Sequence, residues 1–372
     1  MSEDTNQDPR RYTTADVGLD ALGLTDAQSS TTEPEDAPTA VPSALAGELR
    51  SLSSATAWLN APPLTPADLR GHVVAVDFWT YTCVNWLRTL PYVRAWAARY
   101  QDAGLVVIGV HAPEFPFEHD LDNVRQAARD LRIAYPIAQD NDFAIWRGFD
   151  NHYWPALYLF DPEGQIRHHH FGEGDYARSE IMIQRLLAEA GAGGIAVGEN
   201  LVTDTVEPQG AEVAADWSTL KSPETYCGYQ QAEGFTSPGG LVEDERHAYA
   251  APSRLRLNQW ALAGEWTIQP QAIVLNVAGG RIVYRFHARD LNLAMGPVTR
   301  STPVRFRLLL DGQAPGSAHG ADVDAQGNGT ASDQRLYQLI RQPMPQAQPL
   351  ADRQFEIEFL DPDIQACVFT FG

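Results

Sequence analysis

The sequence predicts an α/β domain with a central mixed sheet flanked by helices, followed by an all-β sandwich of jelly-roll type. The chain has 372 residues, which is more than one hydrophobic core organises. Its first half alternates apolar runs with amphipathic stretches, and its second half repeats short strands separated by turn signals. We therefore expect folded domains at residues 47–190 and 223–372, a linker at 191–222 and a disordered acidic tail at 1–46.

In the first domain, uninterrupted apolar runs predict strands buried on both faces. Apolar residues that recur every three or four positions predict helices. Because strands and helices alternate, we expect parallel pairing, with one returning antiparallel strand. In chain order the predicted elements are a strand at 73–79, a helix across 87–97 that contains Pro91, a strand at 105–110, a helix at 122–131, strands at 156–160 and 165–170, and a helix at 179–190.

The second domain shows short segments with alternating or aromatic-rich character and no helical period. Turn signals such as Gly279-Gly280 and Asp311-Gly312 separate these segments, a pattern typical of a β-sandwich. The predicted strands are 260–268, 272–277, 281–286, 304–310, 335–340, 354–359 and 367–371.

The net charge of −21 limits the classes of molecule that this protein is expected to bind. Acidic residues number 48 against 27 basic ones, and Lys221 is the single lysine. Such a charge repels phosphate backbones and anionic lipids, so we expect neither nucleic-acid nor membrane partners. The sequence has no run of about 20 apolar residues and begins with acidic residues, which predicts a cytoplasmic protein. Three widely spaced cysteines, Cys83, Cys227 and Cys367, do not resemble a disulfide framework.

Cys83 is the candidate catalytic residue. It lies between a predicted buried strand and a predicted helix, and unpaired amides at a helix start favour the thiolate over the thiol. A thiolate there is a nucleophile. The alternative is an inert, buried cysteine.

The residues around Cys83 resemble the thioredoxin superfamily. The segment Asp77-Phe78-Trp79, followed after three residues by Cys83, is similar to the segment that leads into the redox motif of thioredoxins. Pro91 matches the proline in the helix that follows that motif. Trp154-Pro155 resembles its cis-proline. The segments FWTYTCVNWLRTLP and NHYWPALYLFD, with FEIEFLDPDIQACVFTFG in the second half, look like the soluble part of DipZ-type cytochrome c biogenesis proteins. That resemblance implies a thioredoxin fold followed by a sandwich similar to carbohydrate-binding modules.

Position 86 departs from the pattern of that family. The resemblance implies a second, resolving cysteine there, and this chain has Trp86. A dithiol cycle needs a second thiol to displace the captured substrate. Asp77 matches the carboxylate that, in the family, helps to deprotonate the resolving cysteine. Its role here is either this assistance or that of a buried structural acid.

Other candidates have a structural alternative. Trp79 and Trp86 either wall a substrate groove or pack in the core, and Thr80 resembles a peroxiredoxin hydroxyl weakly. Glu173, on a loop after a strand, is either a polar group for the Cys83 pocket or a solvated acid. His168 and His170 share a strand face without further ligands at a matching offset, so we predict no metal site. We also predict no cofactor.

Three functions follow from these residues. In the first, Cys83 attacks a small thiol's disulfide, a peroxide or a protein disulfide, and an external thiol completes the cycle. In the second, the protein is a non-catalytic docking protein in which Cys83 is a relic. In the third, the main function belongs to the β domain, which binds a carbohydrate or a protein.

Overall fold

The computed structural model describes residues 47–300, 302–343 and 350–372, so the tail predicted at 1–46 lies outside the described residues. The chain forms two compact units, each assembled from separate stretches of sequence. The first comprises the described residues up to Phe78, together with Trp96–Ala112 and Tyr135–Asp204. The second comprises Trp79–Ala95, Pro113–Ala134 and Thr205–Gly372. Cys83 therefore belongs to the same unit as the β-rich half of the chain.

The first unit is built on a mixed sheet. In the described residues its six strands are Ala57–Leu59 (β1), Val73–Trp79 (β2), Leu105–His111 (β3), Ile137–Gln139 (β4), Ala156–Phe160 (β5) and Ile166–Phe171 (β6). Their spatial order is β1-β4-β3-β2-β5-β6. Strands β3 and β4 are parallel, whereas the pairs β1–β4, β2–β5 and β5–β6 are antiparallel. Every residue of β2 is buried, as its uninterrupted apolar run predicts. The α/β prediction is confirmed.

The chain also forms helices, and three of them, at 84–100, 121–130 and 176–189, lie where the sequence shows three- and four-residue spacing. The carboxylate of Asp120 caps one of them by accepting the N–H of Asp122 at 2.7 Å. Pro91 lies inside another, which continues through it. Among the described residues, no helix combines the length and the apolar character needed to cross a bilayer. The helices are Gly47–Ser51 (α1), Pro66–Leu69 (α2), Val84–Tyr100 (α3), Leu121–Asp130 (α4), Ala144–Gly148 (α5) and Tyr176–Glu189 (α6).

The β-rich part of the second unit is an antiparallel network. Its eleven strands in the described residues are Thr225–Tyr226 (β7), Arg246–Tyr249 (β8), Trp260–Ile268 (β9), Ile273–Leu275 (β10), Arg281–Phe286 (β11), Asp290–Pro297 (β12), Val304–Leu310 (β13), Asn328–Ala331 (β14), Arg335–Arg341 (β15), Arg353–Phe359 (β16) and Ile364–Phe371 (β17). The prediction missed β12, which pairs with both β15 and β17 and whose eight residues are all buried. It also missed the short strands β7, β8 and β14.

Strand β9 belongs to both layers of this network. Its first half, Trp260–Ala263, pairs with β11, in the layer ordered β14-β13-β16-β11. Its second half pairs with β8 and β10, in the layer that continues through β17, β12 and β15. The halves meet at Gly264, whose φ of +97° is a conformation that favours glycine. The strand therefore bends from one layer into the other at this residue.

Aromatic side chains fill the space between the two layers. The Tyr284 ring on β11 lies 5.2 Å from the Phe369 ring on β17, measured between centroids. The Phe355 ring on β16 lies 6.0 Å from the same Phe369 ring. Both arrangements pack rings from opposite layers against each other, as in a β-sandwich. The prediction of an all-β sandwich is confirmed.

We expect Gly264→Ala to destabilise the protein more than Gly279→Ala does. Both glycines have positive φ values, +97° and +85°, so alanine costs about 1–2 kcal/mol at either position. A Cβ at Gly264 would also lie 2.8 Å from the Cα of Gly280, whereas a Cβ at Gly279 meets open space. That overlap adds about 1–3 kcal/mol. Urea denaturation of the two variants measures the difference, and equal losses of stability would show that the close approach is unimportant.

Candidate active site around Cys83

Cys83 directly precedes the helix α3. Its N–H donates to the carbonyl oxygen of Thr80 at 3.3 Å, and its own carbonyl accepts the N–H of Leu87 at 3.0 Å. The residue therefore closes a tight turn after β2 and opens the helix, the position that the sequence predicts. The residue as a whole is partly exposed, and its sulfur forms no disulfide.

The electrostatic surroundings of Cys83 differ from the sequence expectation. Burial raises the pKa of the thiol well above its ordinary value, and the carboxyl groups of Glu114 and Glu224 raise it further. The backbone N–H groups of Trp86 and Asn85 lower it, as expected at a helix start, but they do not reverse the direction. The expected helix effect is therefore present, and burial of the thiol, with a smaller contribution from acids of two distant segments, outweighs it.

Glu114 and Glu224 meet at the hydroxyl of Tyr226. This hydroxyl donates to Oε1 of Glu114 at 2.5 Å and lies 3.5 Å from Oε2 of Glu224. Glu114 belongs to the loop after β3, whereas Glu224 and Tyr226 lie at the short strand β7. Residues 113–134 and 205–372 are parts of the second unit, so these three side chains form one cluster within it.

Glu118 fixes the loop that carries Glu114. Its Oε2 accepts the N–H groups of Glu114 and Phe115 at 2.6 and 2.9 Å, and its Oε1 accepts the hydroxyl of Thr82 at 2.6 Å. Burial raises the pKa of Glu118, while the hydroxyl groups of Thr80 and Thr82 lower it. The carboxylate therefore connects the turn that precedes Cys83 to the loop.

Trp79 and Trp86 stack on each other with ring centroids 4.4 Å apart and an angle of 26° between the planes. Neither side chain has exposed surface. Of the two alternatives left open by the sequence, the structure therefore gives both residues a packing role. Position 86, where the family has its second cysteine, is occupied by a core side chain.

The remaining candidates from the sequence lie in the first unit. Asp77 is fully buried on β2, opposite Leu157 of β5. The peptide bond between Trp154 and Pro155 is cis, as the sequence predicts, and the Pro155 carbonyl accepts the N–H of Gly172 at 2.8 Å. Glu173 follows that glycine and is partly exposed.

The histidines of β6 do not form part of a metal cluster in the described part of the chain, where no group of three or more His, Cys, Asp or Glu side chains is arranged to hold a metal ion. The Nε2 atom of His168 lies 3.4 Å from Oγ of Ser179. Burial, followed by Arg178 and the two neighbouring histidines, lowers the pKa of His168 to about 4. His168 is therefore neutral at physiological pH.

Cys227 and Cys367 are also in the second unit. Both are fully buried and free, and the Cys227 N–H donates to the Cys367 carbonyl at 2.8 Å. Burial raises the pKa of both thiols, and Glu118 and Glu114 contribute to the shift of Cys367. Neither is prepared to act as a thiolate in this arrangement.

Sequence reasoning missed Glu114, Glu118, Glu224 and Tyr226 as site residues. The loop His111-Ala-Pro-Glu-Phe-Pro-Phe-Glu carries two acids four residues apart among aromatic residues, a pattern that indicates burial of the acids. No comparable signal marks Glu224 and Tyr226, which lie about 140 residues from Cys83 in sequence.

Two known protein families match successive parts of the chain. Residues 59–169 match the AhpC/TSA family, and residues 222–372 match the family described as a thioredoxin-like C-terminal domain. A solution structure of a thioredoxin-like protein in its oxidised form is 34% identical, with a TM-score of 0.34 over 36% of this chain and 90% of that chain.

Curated relatives match the same parts. The DipZ proteins of Mycobacterium tuberculosis and Mycobacterium bovis are each 37% identical over 263 residues, or 70% of this chain. The chain spans 36% of the length of these DipZ proteins. The thiol-disulfide oxidoreductase YkuV of Bacillus subtilis is 32% identical over 37% of this chain and 93% of YkuV. Because that relative is matched over nearly its whole length, the chain belongs to the thioredoxin-like family, and it joins an AhpC/TSA-type domain to a thioredoxin-like C-terminal domain of β structure.

Proposed function

We propose that this protein is a thiol–disulfide oxidoreductase that acts through one catalytic thiol, Cys83, and is returned to its starting state by an external thiol. The names of its relatives support the reaction class. The position of the partly exposed residue Cys83 at the start of α3, with the amides of Asn85 and Trp86 acting on its sulfur, supports the choice of nucleophile. The substrates that fit this chemistry are disulfides of small thiols or of proteins.

The observation that carries the one-thiol proposal is the stack of Trp86 on Trp79. A dithiol enzyme of this family type resolves its mixed disulfide with a second thiol in the same turn of the helix. Here the side chain at that position is fully buried and packed, so release of the product falls to another molecule. Cys227 and Cys367 are fully buried with raised pKa values, which makes them poor nucleophiles.

The cycle has two exchanges. In the first, the Cys83 sulfur bonds to one sulfur of a substrate disulfide, the bond between the substrate sulfurs breaks, and the other half leaves as a thiol. In the second, an external thiol attacks the mixed disulfide and releases Cys83. The substrate disulfide is reduced and the external thiol is oxidised, so electrons balance. A reducing cytoplasm supplies low-molecular-weight thiols of this class.

A second candidate function is ligand binding by the second unit, which contains a cavity of about 700 Å³. Its lining includes Arg94, Asn123, Arg300, Gln334, Arg335 and Gln338. This polar lining suits a polar ligand such as a carbohydrate, and Cys83 does not line it. A glycan-binding screen with the full chain tests this candidate independently of the thiol chemistry.

We expect Cys83→Ser to abolish formation of a mixed disulfide, because the serine hydroxyl cannot replace the sulfur. Incubation with hydroxyethyl disulfide at pH 8 to 9, followed by intact-mass measurement, detects the half of this disulfide that Cys83 captures as a mixed disulfide. The mildly alkaline pH offsets the raised pKa of the thiol. Cys227→Ser is the matched control, since its sulfur is fully buried, and it should behave as wild type. A wild-type protein whose Cys83 stays unmodified would refute the proposed function and favour a docking role.

We expect Trp86→Cys to restore internal resolution. Mixed disulfide formed on Cys83 should then release its captured half without added thiol, leaving a disulfide between positions 83 and 86. Loss of the indole that stacks on Trp79 costs about 3–5 kcal/mol of stability. Trp86→Ala creates a similar cavity without a thiol and should keep its captured half. If both variants release it equally, the cavity and not the new thiol is responsible.

A further inference from the structure

A partly buried group of acids connects the Cys83 turn to the C-terminal β strands within the second unit. We define the acid cluster as Glu114, Glu224 and Tyr226, whose hydroxyl lies 2.5 Å from the first carboxyl group and 3.5 Å from the second. Glu118 accepts both the hydroxyl of Thr82, the residue before Cys83, and the N–H of Glu114, so the loop that carries Glu114 lies against the Cys83 turn. Strand β7 therefore contributes, through Tyr226, to the surroundings of the Cys83 turn.

The acid cluster holds exchangeable protons near neutral pH. The single hydrogen of the Tyr226 hydroxyl cannot serve both carboxyl groups, and two neighbouring carboxylates removed from water resist simultaneous ionisation. Burial raises the pKa of Glu224 to about 7. Burial, then Glu224 and Glu118, raise the pKa of Glu114 well above its ordinary value. A proton is therefore available near neutral pH on the loop that lies against the Cys83 turn.

Glu118 has a different role from Glu114, although it lies on the same loop. Its two oxygens already accept three donors, the N–H groups of Glu114 and Phe115 and the hydroxyl of Thr82. A carboxyl group engaged in this way fixes the loop. Glu114, whose oxygen meets the exchangeable hydrogen of Tyr226, is the better carrier of a proton.

We propose that Glu114 carries the proton of Cys83 to the sulfur that leaves the substrate, and that Tyr226 and Glu224 are positioning residues that hold Glu114 for this task. This inference rests on the thiol–disulfide exchange proposed above. It gives the C-terminal β domain a part in the reaction, because two of the three residues of the acid cluster belong to it.

The proton and electron pairs balance in the proposed step. Cys83 and the carboxyl groups titrate as one coupled set, and in the reactive state one proton is shared between Cys83 and Glu114. The Glu114 carboxylate takes the S–H proton while the sulfur attacks the substrate disulfide. The bond between the substrate sulfurs breaks, and the leaving thiolate takes the proton from the Glu114 carboxyl group. Cys83 is oxidised to the mixed disulfide, the leaving half is reduced to a thiol, and Glu114 is again a carboxylate.

The test compares two disulfides that differ in their need for this proton. Hydroxyethyl disulfide releases a basic thiolate that gains from protonation, whereas 5,5′-dithiobis(2-nitrobenzoate) releases an acidic thiol that leaves readily as the anion. We expect Glu114→Gln to lower the rate constant for the aliphatic disulfide at least ~10-fold relative to that for the aromatic one, within the range of general acid–base effects. Tyr226→Phe should change the ratio in the same direction by a smaller factor. The readout is the ratio of the two rate constants at pH 7, measured on the full chain.

Glu245→Gln, at an exposed acid of the same unit, is the matched control and should leave the ratio unchanged. Loss of folding in Glu114→Gln would lower both rates together, and circular dichroism detects it. In that case Tyr226→Phe, which removes one hydroxyl, decides the question. An unaltered ratio in folded variants overturns the role of the acid cluster and leaves the function of Cys83 standing. Failure of wild-type Cys83 to react with either disulfide rejects the proposed function itself.

A second measurement concerns the proton of Glu224. The unfolded chain releases this proton near pH ~4.3, whereas the folded protein holds it up to about pH 7. The stability contributed by the protonated group is therefore full at low pH and is lost as the pH rises through 7. We expect the Tm of Glu224→Gln, relative to wild type, to be higher at pH 8 than at pH 5. A Tm difference that is independent of pH would show that Glu224 titrates normally.

Discussion

The buried carboxylate of Glu118 is the contact on which the arrangement of the site depends. It accepts the hydroxyl of Thr82, one residue before Cys83, and two N–H groups of the loop that carries Glu114. Burying a carboxylate is costly unless donors replace the lost water, and three donors do so here. Because the same side chain holds the turn and the loop, the sulfur and the acid beside it keep a fixed relation.

Around this contact, the surroundings of Cys83 in the second unit raise the pKa of the thiol, whereas a helix start by itself favours the thiolate. Glu114 and Glu224 act on each other and on Cys83, and each has a raised pKa. Like charges in a buried site favour the protonated forms. The thiol is therefore weak as a free nucleophile, and a neighbouring proton carrier becomes chemically useful to it.

Much of the fold follows from local sequence patterns. The apolar runs at β2, β3 and β5 and the spacing in α3, α4 and α6 indicate an α/β unit, and alternation with turn signals indicates the sandwich. Strand β12 was missed because its buried residues include Asp290 and Asn292, which interrupt the apolar pattern. Asp290 is buried because Arg341 and Arg289 donate to its carboxylate from other positions, which a local pattern does not reveal.

For the site, the sequence by itself determined the candidate nucleophile Cys83, its position before a helix, the cis bond at Pro155 and the absence of a second cysteine at position 86. Each of these depends on neighbouring residues or on residue identity. Tertiary structure decided that Trp86 packs in the core and that burial, together with Glu114 and Glu224, reverses the expected effect of the helix on Cys83. The physical reason is that a thiol's acidity depends on burial and on charges within a few ångströms. Those charges come here from segments that only the folded chain brings together.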